Sequence, residues 1–292
     1  MNFKSGFVNI FGKPNVGKST LMNALVGERL SAITNKAQTT RHRIKGICTT
    51  PEYQIVFSDT PGILDPHYKL HESMVSEINQ ALEDADIILY ILELGEKSID
   101  EKIYRLAIEK NLPVIIVLNK VDNGQQDQVI ASIENLKASY PSSQVIPVSA
   151  LHRFNLQSLM NQILDVLPVH PAYYPEDELT DRNYRFFVSE IIREKILELY
   201  QKEVPYSVEV VVDAFKEEET IVKISVWIFV ARETQKIIIL GKGGSAIKQL
   251  GIRARKEIEE FLGKKVFLEL SVKVEKDWRD NEQSLRRFGY QL

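Results

Sequence analysis

Gly12-Lys13-Pro14-Asn15-Val16-Gly17-Lys18-Ser19 decides the fold of the first half of this chain. It matches G-x-x-x-x-G-K-[ST], a phosphate-binding loop when a strand precedes it and a helix follows. Both are present. Phe7–Phe11 is an apolar strand-like run, and Lys18–Val26 reads as a helix closed by Gly27. The glycines let backbone N–H groups turn inward, and the helix N-terminus adds its positive dipole end. Lys18 places a point charge on the β- and γ-phosphates, and the Ser19 hydroxyl suits a Mg²⁺ ion. Gly12, Lys13, Pro14, Asn15, Val16, Gly17, Lys18, Ser19 and Thr20 are therefore expected nucleotide contacts.

Working outward, strand and helix signals alternate. Gln54–Ser58, Asp86–Leu94, Val114–Leu118 and Val145–Val148 read as strands. The second and third are continuous apolar runs, as expected of parallel strands buried on both faces. Leu70–Ala85, Glu101–Lys110, Gln128–Ser139 and Leu156–Leu167 read as helices. The alternation predicts an α/β P-loop domain with a mostly parallel sheet, with ligands at the carboxyl ends of the strands.

Three further stretches fall at those ends. Asp59-Thr60-Pro61-Gly62 offers a carboxylate for the Mg²⁺ shell and a Gly62 N–H for the γ-phosphate, so it can sense that phosphate. Asn119-Lys120-Val121-Asp122 selects the base. An ionised Asp only accepts hydrogen bonds. Guanine presents two adjacent donors to it, whereas adenine would leave it unpaired, a mismatch that sites reject strongly. The Lys120 stem can cover the base. Ser149-Ala150-Leu151 can offer the Ala150 N–H to the guanine oxygen.

Four motifs in this order resemble the translation-factor-like branch of P-loop GTPases over residues 7–167. The resemblance implies GTP and GDP as ligands with Mg²⁺. It also implies a switch threonine that joins Ser19 and Asp59 at the metal in the GTP state. In Gln38-Thr39-Thr40-Arg41-His42-Arg43, Thr40 is the choice and Thr39 the runner-up; His42 reads as a surface switch residue. Lys18, Thr40, Gly62 and Asn15 are the groups expected to act on the transferring phosphate. Many such enzymes place a water-orienting glutamine after the Asp-x-x-Gly motif. This chain has Ile63. Asn15 resembles the asparagine that coordinates K⁺ in potassium-activated relatives, which makes K⁺ an added candidate, with a purely loop-shaping Asn15 as the alternative.

The pattern changes after a polar, proline-bearing stretch, 169–183, that reads as a linker. From residue 184 the order is helix, strand, strand, helix, strand, an α+β unit. Tyr184–Tyr200 is read as amphipathic, with Phe187, Ile191, Ile192, Ile196 and Leu199 on one face. Ser207–Ala214 and Thr220–Val230 read as a hairpin turning at Lys216–Glu219. Gly241-Lys242-Gly243-Gly244 fits G-x-x-G between helical segments, followed by a helix to Leu262 and a strand Val266–Val274. From Lys236 to Lys256 there are six basic residues and no acidic one. The order resembles a type II KH domain, whose loop lets a single strand's backbone approach closely. Gly241, Lys242, Gly243, Gly244, Lys248, Arg253, Arg255 and Lys256 are the expected RNA contacts.

A G domain (1–168) followed by a KH domain (184–292) is similar to the Era family of ribosome-assembly GTPases. Gln38–Arg43 and the terminal Trp278…Arg286-Arg287-Phe288-Gly289-Tyr290 look like that family's signatures. The resemblance implies binding to the 3′ end of small-subunit ribosomal RNA, a role in maturation of the small ribosomal subunit, and peripheral membrane association at the inner face. The alternative is an RNA-binding module in which nucleotide binding is mainly structural.

Composition sets outer bounds. The chain has 292 residues, a formal net charge of −3 and one cysteine, Cys48. No intramolecular disulfide can form, which fits a reducing compartment. No secretory leader or apolar run of about 20 residues is visible. The expectation is a cytoplasmic monomer.

Overall fold

The structure is a computed structural model, and it describes residues 3–292. Two compact units emerge from it, residues 1–65 with 74–181 and residues 66–73 with 182–292.

The first unit contains β1 (Lys4–Phe11), α1 (Lys18–Val26), β2 (Ile44–Thr49), β3 (Tyr53–Asp59), α2 (Lys69–Glu83), β4 (Ile87–Glu93), α3 (Glu101–Glu109), β5 (Val114–Asn119), α4 (Gln126–Ser139), β6 (Gln144–Pro147) and α5 (Leu156–Val166). Helix α2 begins in the 66–73 segment and continues into this unit. The sheet order is β2-β3-β1-β4-β5-β6. All neighbours pair in parallel except β2, an antiparallel edge strand on β3. Strand β2 had no counterpart in the sequence reading. The chain leaves β1 toward β3 on one side and β4 on the other, so the phosphate loop opens at the point where the order reverses, where such sheets bind ligands. Every residue of β5 is buried, the cause of its unbroken apolar run.

Residues 169–181 lie along this unit. Gln54, wholly buried, accepts from the Tyr173 and Tyr174 N–H groups at 2.7 and 3.0 Å and donates to the Tyr174 carbonyl at 2.9 Å. The Ile47 N–H donates to the Leu179 carbonyl at 2.9 Å.

The second unit contains α6 (Tyr184–Leu199), β7 (Val208–Glu217), β8 (Ile221–Val230), α7 (Glu233–Leu240), α8 (Ser245–Leu262), β9 (Lys265–Val274) and α9 (Glu282–Arg287). Strand β7 runs antiparallel to β8, and β9 parallel to it. Strand β7 runs on through Glu217, so the hairpin turns at 218–220, closed by the Glu218 N–H on the Ile221 carbonyl. Helix α7, Glu233–Leu240, is the helical segment expected before the glycine loop, and α9 was not expected at all.

Helix α6 corrects the sequence reading most. Phe187, Ile192 and Ile196 are buried as expected, but Ile191 and Leu199 are only half-buried, and Glu190, Arg193, Glu194 and Lys195 are buried too. The charged face is paired rather than solvated. Arg193 forks onto Glu190 at 2.8 and 2.5 Å, and Lys195 reaches Glu257 at 2.7 Å. Buried charges persist in this way only when they are matched.

Candidate functional site

Helix α1 begins without a side-chain cap. Its N-cap residue, Gly17, sits at φ 100°. The uncapped N–H groups of the first turn are what an anion would take. Gly17 is also fixed by its neighbour, because a Cβ there would lie 2.3 Å from Asn119 Nδ2. That asparagine ties the loops together: Nδ2 donates to the Val16 carbonyl at 2.8 Å and Oδ1 accepts the Ala150 N–H at 3.0 Å. Gly17→Ala should therefore weaken GTP binding by about tenfold or more, from backbone strain and a displaced Asn119. Equilibrium titration checks this, and unchanged affinity would show that the loop tolerates the side chain.

Lys18 is buried, with Nζ donating to the Gly12 and Lys13 carbonyls at 3.1 and 2.8 Å. Burial lowers its pKa to about 8, against the opposing pull of Asp59 and Glu96. An anion docking beside it would favour the charged form further. The loop lies in a cleft of about 330 Å³ that also takes in Ser19, Thr20, Thr40, Gly62, Asn119 and Asp122.

Asp59 is wholly buried at the end of β3. Its Oδ2 accepts from Ser19 Oγ at 2.6 Å and Thr40 Oγ1 at 3.0 Å, and those two hydroxyls lie 3.1 Å apart. Its other oxygen, Oδ1, is buried without a hydrogen bond. Burial raises the carboxyl's pKa, opposed by Lys18 and the hydroxyl contacts. Two hydroxyls and an under-satisfied carboxylate beside a phosphate loop fit a hard cation that takes its remaining oxygens from water and phosphate. Ser19, Thr40 and Asp59 would hold Mg²⁺. Bound there, it supplies charge compensation to the phosphates. The geometry brings Thr40, not Thr39, to this cluster; Thr39 Oγ1 donates to the Lys36 carbonyl at 2.6 Å. Among the described residues no cluster of three His, Cys, Asp or Glu offers a rival metal site.

Gly62 passes close over the loop, since a Cβ there would lie 2.8 Å from Pro14 Cγ. Thr60 is turned inward, with Oγ1 donating to the Ile10 carbonyl at 2.6 Å. Ile63 packs against the apolar core.

At the base end, Asp122 sits in a short turn, Val121–Asn123, entered through Lys120 at φ 61°. Lys120 Nζ pairs with Glu93 at 2.7 Å, which fixes the stem meant to cover the base. The Ala150 N–H, expected to meet the guanine oxygen, is engaged by Asn119 Oδ1, so that service needs the bond shared or released. Ser149 is buried and Leu151 is exposed at the rim. Sequence reasoning missed His152, whose Nε2 lies 3.8 Å from Asp122 Oδ2.

In the second unit, Gly241, Gly243 and Gly244 all have positive φ, at 70°, 58° and 77°. That run of backbone favours glycine at three of four positions. Lys242, Lys248, Arg253, Arg255 and Lys256 are exposed, while Leu250 and Ala254 face the core. Ile237, Ile238 and Ile252 add exposed apolar surface.

Two family models match, a 50S ribosome-binding GTPase over residues 7–120 and a KH domain over 203–279. GTPase Era of Lacticaseibacillus paracasei is 47% identical, over 98% of this chain and 96% of its own. The chain belongs to the Era family of GTPases. It is a GTP hydrolase. A solved structure of Era with MgGDPNP and nucleotides 1506–1542 of 16S ribosomal RNA matches with TM-score 0.95 and 43% identity, over 99% of this chain and 100% of that one. A variant of Aquifex aeolicus Era bound to GDP and AlF4⁻ matches with TM-score 0.95 and 42% identity, over 99% and 100%.

The terminal Era-family signature is largely structural in this chain. Trp278 is wholly buried and its Nε1 donates to the Ser207 carbonyl at 3.0 Å. The Tyr290 hydroxyl donates to Glu209 at 2.7 Å, and Arg287 pairs with Glu275 at 3.1 Å.

Proposed function

We propose that this protein is a GTP-driven switch that binds the 3′ end of small-subunit ribosomal RNA and assists maturation of the small ribosomal subunit. On this reading residues 1–168 bind GTP or GDP with Mg²⁺, 169–183 join the domains, and 184–292 bind RNA through Gly241–Gly244 and its basic flank. The observation that carries it is the convergence of Ser19, Thr40 and Asp59 around an unpaired buried carboxylate oxygen beside the phosphate loop. The Era relative carrying 16S RNA supports the partner. The G-domain family description names the 50S subunit, but it rests on residues 7–120 alone. The Era complex is matched along its whole length, second domain included, so we favour the small subunit. Crosslinking the protein to RNA in cells and sequencing the fragments tests this. Recovery of large-subunit RNA alone would reject it.

Slow hydrolysis in the isolated protein follows from Ile63, which cannot orient water and whose side chain packs against the core. Asn15 has φ 67° and donates through Nδ2 to the Asn35 carbonyl at 3.0 Å. On this reading its Oδ1 would be the ligand for K⁺. Hydrolysis should therefore run faster in K⁺ than in Na⁺ at equal ionic strength. Equal rates would reject the cation role, and a K⁺ preference surviving Asn15→Ala would move the site elsewhere.

The packing of Ile63 against the core also favours a second reading, in which nucleotide binding is mainly structural. Time-resolved release of RNA on GTP hydrolysis separates the two, since the structural reading expects none. The protein is proposed to work as a monomer in the cytoplasm. No helix among the described residues is long and apolar enough to cross a membrane. Peripheral membrane contact rests on the family resemblance alone, and flotation with anionic lipid vesicles tests it.

A further inference from the structure

Arg43 lies three residues past Thr40, at the entrance to β2, and its side chain is 7% exposed. Its guanidinium spends its donors on three elements. Nη1 and Nη2 fork onto Asp84 at 2.6 and 2.8 Å. Nε and Nη2 reach Ser58 Oγ at 3.0 and 2.8 Å, and Nη2 reaches Asn9 Oδ1 at 3.2 Å. Asn9 closes the ring: its Nδ2 donates to Asp84 Oδ1 at 2.8 Å and to the Ala81 carbonyl at 2.5 Å.

The positions of these partners matter more than their number. Asn9 lies on β1, three residues before Gly12. Ser58 pairs in register with Asn9 and immediately precedes Asp59. Asp84 directly follows α2, the helix that comes after Asp59–Gly62. The backbone adds a tether, with Ile44 opposite Asp59 across β2 and β3. One buried cation thus joins residues that flank Thr40, Asp59 and the phosphate loop.

A buried ion pair adds little net stability over a well-packed apolar replacement. Its planar fork, however, fixes direction as well as distance. Thr40 Oγ1 must stay near Ser19 and Asp59, and it sits on a stretch, residues 27–43, that contains no helix or strand.

We propose that Arg43 is a positioning residue for the nucleotide site, and that its clamp onto Asp84, Ser58 and Asn9 holds Thr40 in register with Ser19 and Asp59. The inference rests on the reading of Thr40 as the threonine engaged in the triphosphate state. Arg43, unlike Thr40, is not among the residues that line the nucleotide cleft. Its loss should therefore act on the preference for GTP over GDP rather than on nucleotide binding as a whole.

The test uses the full-length protein and fluorescently labelled GTP and GDP, titrated at equilibrium with Mg²⁺ and again with EDTA. Thr40→Ala sets the reference fall in the GTP-to-GDP affinity ratio. Arg43→Lys keeps the charge but loses the fork. It should lower that ratio by about tenfold or more, the usual effect of outer partners on a metal site, and leave GDP affinity intact. EDTA should erase the difference. Asp84→Asn removes the opposite side of the clamp and should do the same, which keeps the test alive if Arg43→Lys folds poorly. Combining Arg43→Lys with Thr40→Ala should lower the ratio no further than Thr40→Ala alone, since both act through one contact.

An intact ratio in Arg43→Lys and Asp84→Asn, with Thr40→Ala impaired, overturns the positioning role. Equal weakening of GTP and GDP together with a lower melting temperature also overturns it, because that is the mark of a merely structural clamp. If Thr40→Ala itself leaves the ratio intact, the reading of Thr40 fails first, and the route assigned to Arg43 falls with it.

Discussion

Asp122→Asn is expected to exchange the base preference of this protein. Guanine's ring N–H and exocyclic amine both donate, and on the proposed reading the Asp122 carboxylate would accept both. The asparagine amide keeps one acceptor and turns the other position into a donor. That donor meets the guanine amine head-on, and two donors facing each other leave both unpaired. Xanthine keeps the ring N–H but has a carbonyl where guanine has the amine, so it matches the new amide atom for atom. GTP affinity should fall by about a hundredfold or more while XTP affinity rises. The fold should survive, because Asp122 sits in a surface turn with its side chain 25% exposed. Its neighbour His152 loses only a long contact, at 3.8 Å. Titrating GTP and XTP against the same preparation checks both arms. Unchanged GTP affinity would remove Asp122 from the base site.

The nucleotide site was legible because its chemistry fixes residue types at fixed spacing. A phosphate loop needs its glycines and its Lys-Ser pair between a strand and a helix, and residues 7–26 say so locally. Asp122, the proposed base-selecting residue, is similar, since it follows a strand whose complete burial leaves an unbroken apolar run. What escaped the reading depends on pairing across the chain. Strand β2, Ile44-Lys45-Gly46-Ile47-Cys48-Thr49, is a short edge whose apolar residues alternate poorly. Only its register with β3 makes it a strand. Helix α9 has only six residues, too few for an apolar period to show, although Asn281 caps it and Glu282, Arg286 and Arg287 suit its two ends. In α6, charges that periodicity assigns to solvent are buried because Glu190 and Arg193 satisfy one another. The clamp on Arg43 joins residues 9, 43, 58 and 84, and no window of sequence contains it. The engagement of the Ala150 N–H by Asn119 is likewise visible only where two loops meet.

Those non-local contacts bear on the sequence-based account of the second unit as well. Its core is shared among α6, α8 and the sheet, through Ile192, Ile196, Ile224, Ile228, Leu250 and Ile258. Gly241 is held close against Ala246, but the tip of the glycine loop is open, and a Cβ at Gly243 would meet nothing within 4 Å. The loop is therefore a place where charge can be changed without dismantling the domain.

Aspartates at both Lys242 and Gly243 should abolish most of the RNA binding and spare the rest of the protein. Lys242 is exposed, and replacing it removes a cation and adds an anion where a phosphate backbone is proposed to run. Gly243 stands at φ 58°, a conformation that Asp tolerates better than most side chains, so the loop need not unfold. The new carboxylates repel the strand, and the added side chain blocks its close approach. Lys248, Arg253, Arg255 and Lys256 still attract RNA at longer range, so residual binding should be weak and salt-sensitive rather than absent. Affinity should fall by about a hundredfold at moderate salt, and wild-type affinity should itself decline with salt in proportion to the phosphates it contacts. Anisotropy with an oligonucleotide from the small-subunit 3′ end, against a scrambled control, measures both. GTP hydrolysis without RNA should match wild type, because the phosphate loop belongs to the other compact unit. Wild-type RNA affinity in the double variant would take the RNA site away from this loop, leaving its glycines as a tight turn and no more. Loss of basal hydrolysis would show that the loop reaches the nucleotide site through the intervening structure, and the assumed independence of the two units would be what fails.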